Sequence, residues 1–292
     1  MTRCNLSVFM ILALALLLGL PHAARAAESY DNCTGFITSI PATINSQGTW
    51  CLKQDLATAI TSGNAIDIQA NNVTLDCNNF KLGGLAAGLA TTAIGVHNFD
   101  RFNATVRHCN IRGFYAGLYF GATTGSSSGG HLVEDNRFDG NTSIGLVVKG
   151  DGSVIQRNRV FDTGGATAGG DANGIGSSGS VDILDNRVSG VVATSGSNGW
   201  AYGINAQNNS GGGIDGNRVR GLVPDGPGFE FGISAQGSQV ALHANELVGS
   251  GITGGKGVDC TDSSSGAKDN FINHFATPIN NCTDGGGNVV VP

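Results

Sequence analysis

Three carboxylates, Asp171, Asp225 and Glu230, fall in or beside long polar segments, Gly164 to Ala172, Val191 to Trp200 and Val223 to Glu230, which recur along the chain at similar intervals. Carboxylates brought together can act as general acid and base, and at a defined separation they hydrolyse glycosidic bonds. Their oxygens also suit Ca2+. Trp200, one of two tryptophans, stands among them with a flat face that can stack on a sugar ring. The plainer alternative is that Trp200 and Phe229 fold over an edge of the structure and leave the carboxylates in solvent. Tyr202 and Phe231 each precede an aliphatic residue by two places and read as core.

Arginine supplies the strongest charge pattern. Arg137, Arg159, Arg187 and Arg218 occupy one slot of a repeat, each followed by Phe or Val. Stacked about 4.8 Å apart, four like charges repel. Asp135, Asp185 and Asp215 lie close enough in sequence to interleave with them, which gives an arginine–aspartate ladder as the structural expectation. The functional expectation is a docking strip for an acidic polysaccharide, because guanidinium binds carboxylate and sulfate bidentately. The histidines His97, His108, His131, His243 and His274 show no metal-ligand spacing, and no metal site is expected.

These residues need a scaffold, and the repeat supplies it. An aliphatic residue after a small residue returns at Ile94, Leu118, Leu146, Ile175, Ile204, Ile233, Val258 and Ile279, at steps of roughly 21 to 29 residues. Asparagine keeps pace at 136, 158, 186, 217, 245 and 270, usually with an aliphatic residue three places earlier. Short alternating runs such as Val181-Asp182-Ile183 suit strands with one buried face. Asparagine then breaks the alternation. It tolerates the left-handed conformation of a sharp bend, and its amide can bond a copy of itself one coil away. Three short strands per turn with local stacking make an all-β fold, a right-handed single-stranded parallel β-helix (a solenoid) of about eight coils.

Residues 1–26 read as a signal peptide, with Arg3, an apolar run from Leu6 to Leu20 and Ala24-Arg25-Ala26. Residues 27–60 are expected to form an N-terminal cap, 61–283 the β-helix and 284–292 a C-terminal tail. The chain carries a net charge of −6, and loss of Arg3 and Arg25 makes it −8. Such a sparsely charged acidic chain is a poor partner for nucleic acid or anionic membrane. No later segment is apolar enough to span a bilayer, so a secreted or periplasmic protein is expected, as a monomer. The six cysteines beyond the leader, Cys33, Cys51, Cys77, Cys109, Cys260 and Cys282, favour disulfides. Pairing of sequence neighbours (33–51, 77–109, 260–282) is the simplest of 15 arrangements by the arithmetic for six cysteines.

The segment Gly48-Thr49-Trp50-Cys51-Leu52-x-x-Asp55-Leu56, followed by Ala65-Ile66-x-Ile68-x-Ala70-x-x-Val73-Thr74-Leu75-Asp76, resembles the opening of secreted bacterial right-handed parallel β-helix proteins of the pectate-lyase-like superfamily, including NosD-like proteins. In the enzymes of that superfamily the resemblance implies a site on the strand that begins here with Gly-Ile. Residues pointing outward there form a stripe of amides and hydroxyls. Asn205, Gln207, Ser234, Gln236 and Asp259, with Trp200 beside them, are the substrate-binding candidates. The Asp-Asp, His-Gly and Arg-x-Lys signatures of the pectin hydrolases and the Tyr-Gly-Phe-Asp-Pro-His run of the mannuronan epimerases do not occur. The expectation is therefore a non-catalytic protein that presents a polar face and loops to carbohydrate or a cell-surface component. No cofactor is expected. A polysaccharide lyase or glycoside hydrolase using Asp171, Asp225 and Glu230, with Ca2+ as a possible cofactor of the lyase, is the alternative. A structural or adhesive surface protein is the second alternative.

Overall fold

The structure, a computed structural model, describes residues 30–292 apart from 126, 168 and 262. The signal peptide expected at 1–26 lies outside the described residues. Residues 32–292 form one unit, an all-β solenoid. Three parallel sheets of eleven, ten and ten strands run its length. From Val73 onward the chain visits the first, third and second sheets in strict rotation, so each strand pairs with its counterpart one coil away. Eight complete coils lie between Val73 and Asn280.

The aliphatic period becomes a set of buried columns. Val133, Ile155, Ile183, Ile214 and Leu242 stack in the first sheet. Leu118, Leu146, Ile175, Ile204, Ile233 and Val258 stack in the second. Phe138, Val160, Val188, Val219 and Leu247 stack in the third. All are at most 1 % exposed, and each such burial contributes roughly 1.5–3 kcal/mol. Ile94 departs from the expected series. It pairs with Ala116, while Val96 takes the core position beside Leu118.

A column of asparagines fills one corner. The Oδ1 of Asn186 accepts the Asn158 main-chain N–H at 2.9 Å and its Nδ2 at 3.1 Å. The Asn186 Nδ2 donates to the Ile155 carbonyl at 2.9 Å and to Asn217 Oδ1 at 3.0 Å. The same pattern runs from Asn136 to Asn270, is entered by the Cys109 N–H and ends on Asn288. The left-handed conformation belongs to the preceding residue, not to the asparagine: Asp135, Arg157, Asp185, Ala244 and Asp269 have φ of 53–55°. That bend turns the asparagine side chain inward, where it bonds along the column.

Within the expected cap, Gly35–Ile37, Ala42–Ile44, Gly48–Leu52 and Leu56–Ala57 pair within the three sheets. The expected tail, 284–292, carries Val289–Val291, which pairs with Phe271–Asn273. Cys33–Cys51, Cys77–Cys109 and Cys260–Cys282 are disulfide-bonded, with Cα separations of 5.9, 4.7 and 5.1 Å. The neighbour pairing expected from sequence is therefore the observed one.

The glycine before each core aliphatic of the second sheet marks a close approach. A Cβ on Gly203 would lie 2.2 Å from Val219 Cγ1 and 2.6 Å from the Gly232 carbonyl oxygen. Position 203 therefore faces inward, as does Ile204 after it, and the residue before, Tyr202, is turned to the outside.

One histidine belongs to the interior. His131 is 1 % exposed. Its Nδ1 accepts the Ala104 N–H at 3.2 Å, and its Nε2 lies 2.7 Å from Ser128 Oγ. That hydroxyl donates to the Arg101 carbonyl at 3.0 Å, so Nε2 carries the proton and the ring is neutral. Burial lowers its pKa from 6.5 to about 4.

Candidate functional site

The outer face of the second sheet is laid out as the stripe requires. Gly176, Asn205, Ser234, Asp259 and Asn280 are in register on successive strands. Two places on, Lys149, Ser178, Gln207 and Gln236 form a parallel row. Gln207 and Gln236 are exposed, whereas Ser234 is buried beneath its hydrogen bond from Gln236 Nε2 at 3.3 Å. Asn205 donates to Asn173 Oδ1 at 3.0 Å, and its own Oδ1 is buried without a partner. Asp259 accepts from Lys256 Nζ at 3.0 Å and from Asn280 Nδ2 at 2.6 Å.

An aromatic cluster borders this row. Tyr202 and Phe231 stack with centroids 4.9 Å apart and planes 10° from parallel. Trp200 lies 6.0 Å from Tyr202, 5.9 Å from Phe229 and 5.6 Å from Phe231. Tyr202 and Phe231 were expected in the core. They are buried, but outside the solenoid wall: they share a column with Asn173, which meets the outward Asn205, and Lys256 Nζ sits 5.6 Å from the Phe231 centroid. The inward pair Gly203-Ile204 breaks the simple alternation that would have turned them inward. Burial pushes the Tyr202 hydroxyl pKa up, and the charges of Asp171 and Asp259 add to the shift. The hydroxyl stays protonated and available as a donor.

Of the three candidate catalytic carboxylates, two lie in the loops and one is buried. Asp171 accepts the Trp200 N–H at 2.8 Å. Asp225 accepts the Asn198 N–H at 2.9 Å, and backbone hydrogen bonds hold its carboxyl below the usual range. Both tie one loop to the next. Glu230 is fully buried, in the column of the core residues Ala172 and Ala201, and accepts the Ser250 N–H at 2.9 and 3.1 Å. Burial raises its pKa. Among the described residues no group of three or more His, Cys, Asp or Glu could hold a metal ion.

A titratable pair on the same face escapes the sequence reading. Asp67 and His97 lie in the column of Tyr119, Val147 and Asn205, on earlier coils. His97 Nδ1 is 2.7 Å from Asp67 Oδ1, and Gln69 Nε2 donates to Asp67 Oδ2 at 2.7 Å. The His97 ring lies 4.5 Å from Phe99, which lies 5.7 Å from Tyr119. Lys149 Nζ is 5.2 Å from the Tyr119 ring centroid. The signal was present in Val96, since a valine in the core column places His97 outside.

The arginine slot on the third sheet is a true column: Arg137, Arg159, Arg187 and Arg218 pair in register, followed by Glu246. The expected aspartate interleaving does not form. Asp135 binds Arg157 at 2.9 Å, and Asp215 faces His243 at 3.2 Å. Arg137 pairs with Asp139 of its own strand at 3.1 Å, and Arg218 pairs with Glu246 at 3.0 Å. Among the described residues Arg159 and Arg187 have no ion pair.

No protein-family profile and no curated protein matches the chain. Among solved structures, it is similar to the crystal structure of the Dettilon tailspike protein (gp208), at 16 % identity and a TM-score of 0.41 over 87 % of this chain and 56 % of that one. It is also similar to the crystal structure of the Agl-KA catalytic domain, at 12 % identity and a TM-score of 0.38, over 90 % of this chain and 59 % of that one. The chain thus spans less than two thirds of the length of either.

Proposed function

We propose that this protein is an exported, non-catalytic β-solenoid that binds polysaccharide on the outer face of its second sheet. Its three disulfides fit an oxidising compartment, and no helix among the described residues is long and apolar enough to cross a membrane. The observation that carries the binding reading is the aromatic cluster outside the core. Trp200 and Phe229 are each 37 % exposed. Trp200 lies against both rings of the Tyr202–Phe231 stack and against Phe229, the Lys256–Asp259 pair stands beside Phe231, and Gln207 and Gln236 lie further along the same strands. Rings held by other rings form a rigid platform for the C–H face of a sugar, while amides and a paired carboxylate serve its hydroxyls.

Titration with a panel of soluble polysaccharides, followed by tryptophan fluorescence in a Trp50→Phe background, reads Trp200 directly. A saturable change is expected for at least one polymer. Trp200→Ala is expected to weaken that binding by about tenfold, the equivalent of about 1.4 kcal/mol, measured by affinity electrophoresis. Undiminished binding by Trp200→Ala removes this reading.

A second, catalytic reading rests on Asp67 and His97 instead of Asp171, Asp225 and Glu230. Asp67 orients the His97 ring, and Tyr119 stands on the next strand. At a uronate, His97 Nε2 would take the proton beside the carboxylate. The electron pair would form a C–C double bond as the glycosidic C–O bond breaks, and the Tyr119 hydroxyl would protonate the departing oxygen. Ultraviolet absorbance of unsaturated uronate products tests it. Turnover that falls about 100-fold or more in His97→Ala would displace the non-catalytic reading, and absence of turnover in the unaltered protein eliminates the catalytic one.

A further inference from the structure

The third sheet carries a second charged surface that the aromatic face does not explain. On its outer side Arg137, Arg159, Arg187 and Arg218 stand in one column and Arg220 in the adjacent one, which holds Arg112 at its far end. The whole chain has 16 lysines and arginines against 22 acidic residues, so more than a third of its positive charge gathers on this patch of an acidic protein. Two carboxylates reach into it, Asp139 and Glu246, and they pair with Arg137 and Arg218. Among the described residues Arg159, Arg187 and Arg220 have no ion pair. A groove of about 250 Å³ opens between the columns, lined by Phe161, Arg187, Ser189, Arg218, Arg220 and Glu246.

Like charges held in register by a backbone ladder cannot move apart along the axis. They are relieved by external counter-charges with the same spacing. Neighbouring coils lie about 4.8 Å apart, close to the advance of one pyranose unit along an extended polysaccharide. Guanidinium groups bind carboxylate or sulfate through two parallel N–H donors. Phe161 lines the groove and holds the Arg137 guanidinium 4.8 Å from its ring centroid, at the edge of the column.

We propose that this groove and arginine column bind a linear polyanionic polysaccharide, aligned with the solenoid axis, with one carboxylate or sulfate per coil. The site is separate from the aromatic face and stands whether or not that face binds carbohydrate.

The test compares polygalacturonate, dextran sulfate and uncharged dextran, by affinity electrophoresis and by calorimetry at rising salt. Binding of at least one polyanion is expected, with affinity falling as salt screens the charges, and dextran is expected not to compete. The double variant Arg187→Gln/Arg220→Gln is expected to bind that polyanion about tenfold more weakly or worse, with its melting temperature unchanged. Trp200→Ala and Lys149→Gln/Lys256→Gln are expected to leave polyanion binding intact. Equal binding by the arginine variant overturns the proposal. So does loss confined to the second-sheet variants, which would move the polyanion to the other face. Failure of both polyanions to bind, or equal binding of a single-stranded oligonucleotide at matched charge, also overturns it.

Discussion

Replacing Asn186 with alanine is expected to destabilise the protein by about 3–5 kcal/mol, on the scale of 1–3 kcal/mol for each buried polar group left unmade. At roughly 2–4 °C per kcal/mol for a chain of this order, the melting temperature falls by about 10 °C. Asn186 is fully buried and its side chain takes part in four hydrogen bonds, two as acceptor and two as donor. Alanine leaves the Asn158 N–H without its acceptor and Asn217 Oδ1 without one of its donors. Water cannot repair them, because Ile183 before the bend and Val188 after it are both at most 1 % exposed and close the corner. The adjacent Arg187→Ala is the control: an exposed side chain outside such features is expected to cost no more than about 0.5 kcal/mol. Thermal melts by circular dichroism separate the two. Equal melting temperatures for the pair would mean that the asparagine column does not hold the coils together.

Acid should weaken the fold through His131. The ring has an ordinary pKa of 6.5 and, buried and neutral in the folded state, a pKa of about 4. Between these values the unfolded chain binds a proton that the folded chain refuses, so stability rises with pH. The contribution is complete above 6.5, is lost as pH falls, and is gone below about 4. The difference amounts to about 3 kcal/mol at 1.36 kcal/mol per pH unit. Protonation would cost Nδ1 its bond from Ala104 and place a charge 5.0 Å from the Phe120 ring centroid. Glu230 acts in the opposite sense. Its raised carboxyl pKa favours the fold at low pH, and that contribution fades as pH climbs from 4.5 through the raised value. The lowered carboxyls of Asp76 and Asp135 lose their contributions only as pH falls below their usual 3.8. Urea unfolding at pH 7, 5.5 and 4, in the native chain and in His131→Gln, isolates the histidine. The native chain is expected to lose about 3 kcal/mol more than the variant across this range, and parallel pH profiles would remove His131 from the acid response.

Register was legible in the sequence because the same side chains must recur wherever coils bury one another. Aliphatic columns and inward asparagines are required at every turn, so Val133, Ile155 and Ile183, or Asn158 and Asn186, announce their own alignment. Sidedness near the glycine corner was not legible. Gly203 approaches the Gly232 carbonyl so closely that two successive residues face inward, and counting alternate positions from Ile204 then puts Tyr202 on the wrong side. The acidic partners of the arginines were also hidden. A short aspartate side chain reaches a neighbouring backbone N–H more readily than a distant guanidinium: Asp151 accepts from Ser180, Asp171 from Trp200 and Asp182 from Gly213. Glu230 looks like a loop carboxylate in sequence, yet its strand begins at that residue and turns it inside. His97 was lost by a two-residue slip, since Ile94 precedes a glycine just as Val96 follows one.

The asparagine column has a bearing on how such a molecule can change over generations. Every member hands the same bonds to the next, so nothing in the chain of amides distinguishes a fourth storey from a fifth. A tandem duplication of one storey would enter without leaving an amide stranded. It would lengthen both outer faces by one coil's rise, about 4.8 Å, so the reach of either face is free to drift by whole steps while the wall behind it stays the same.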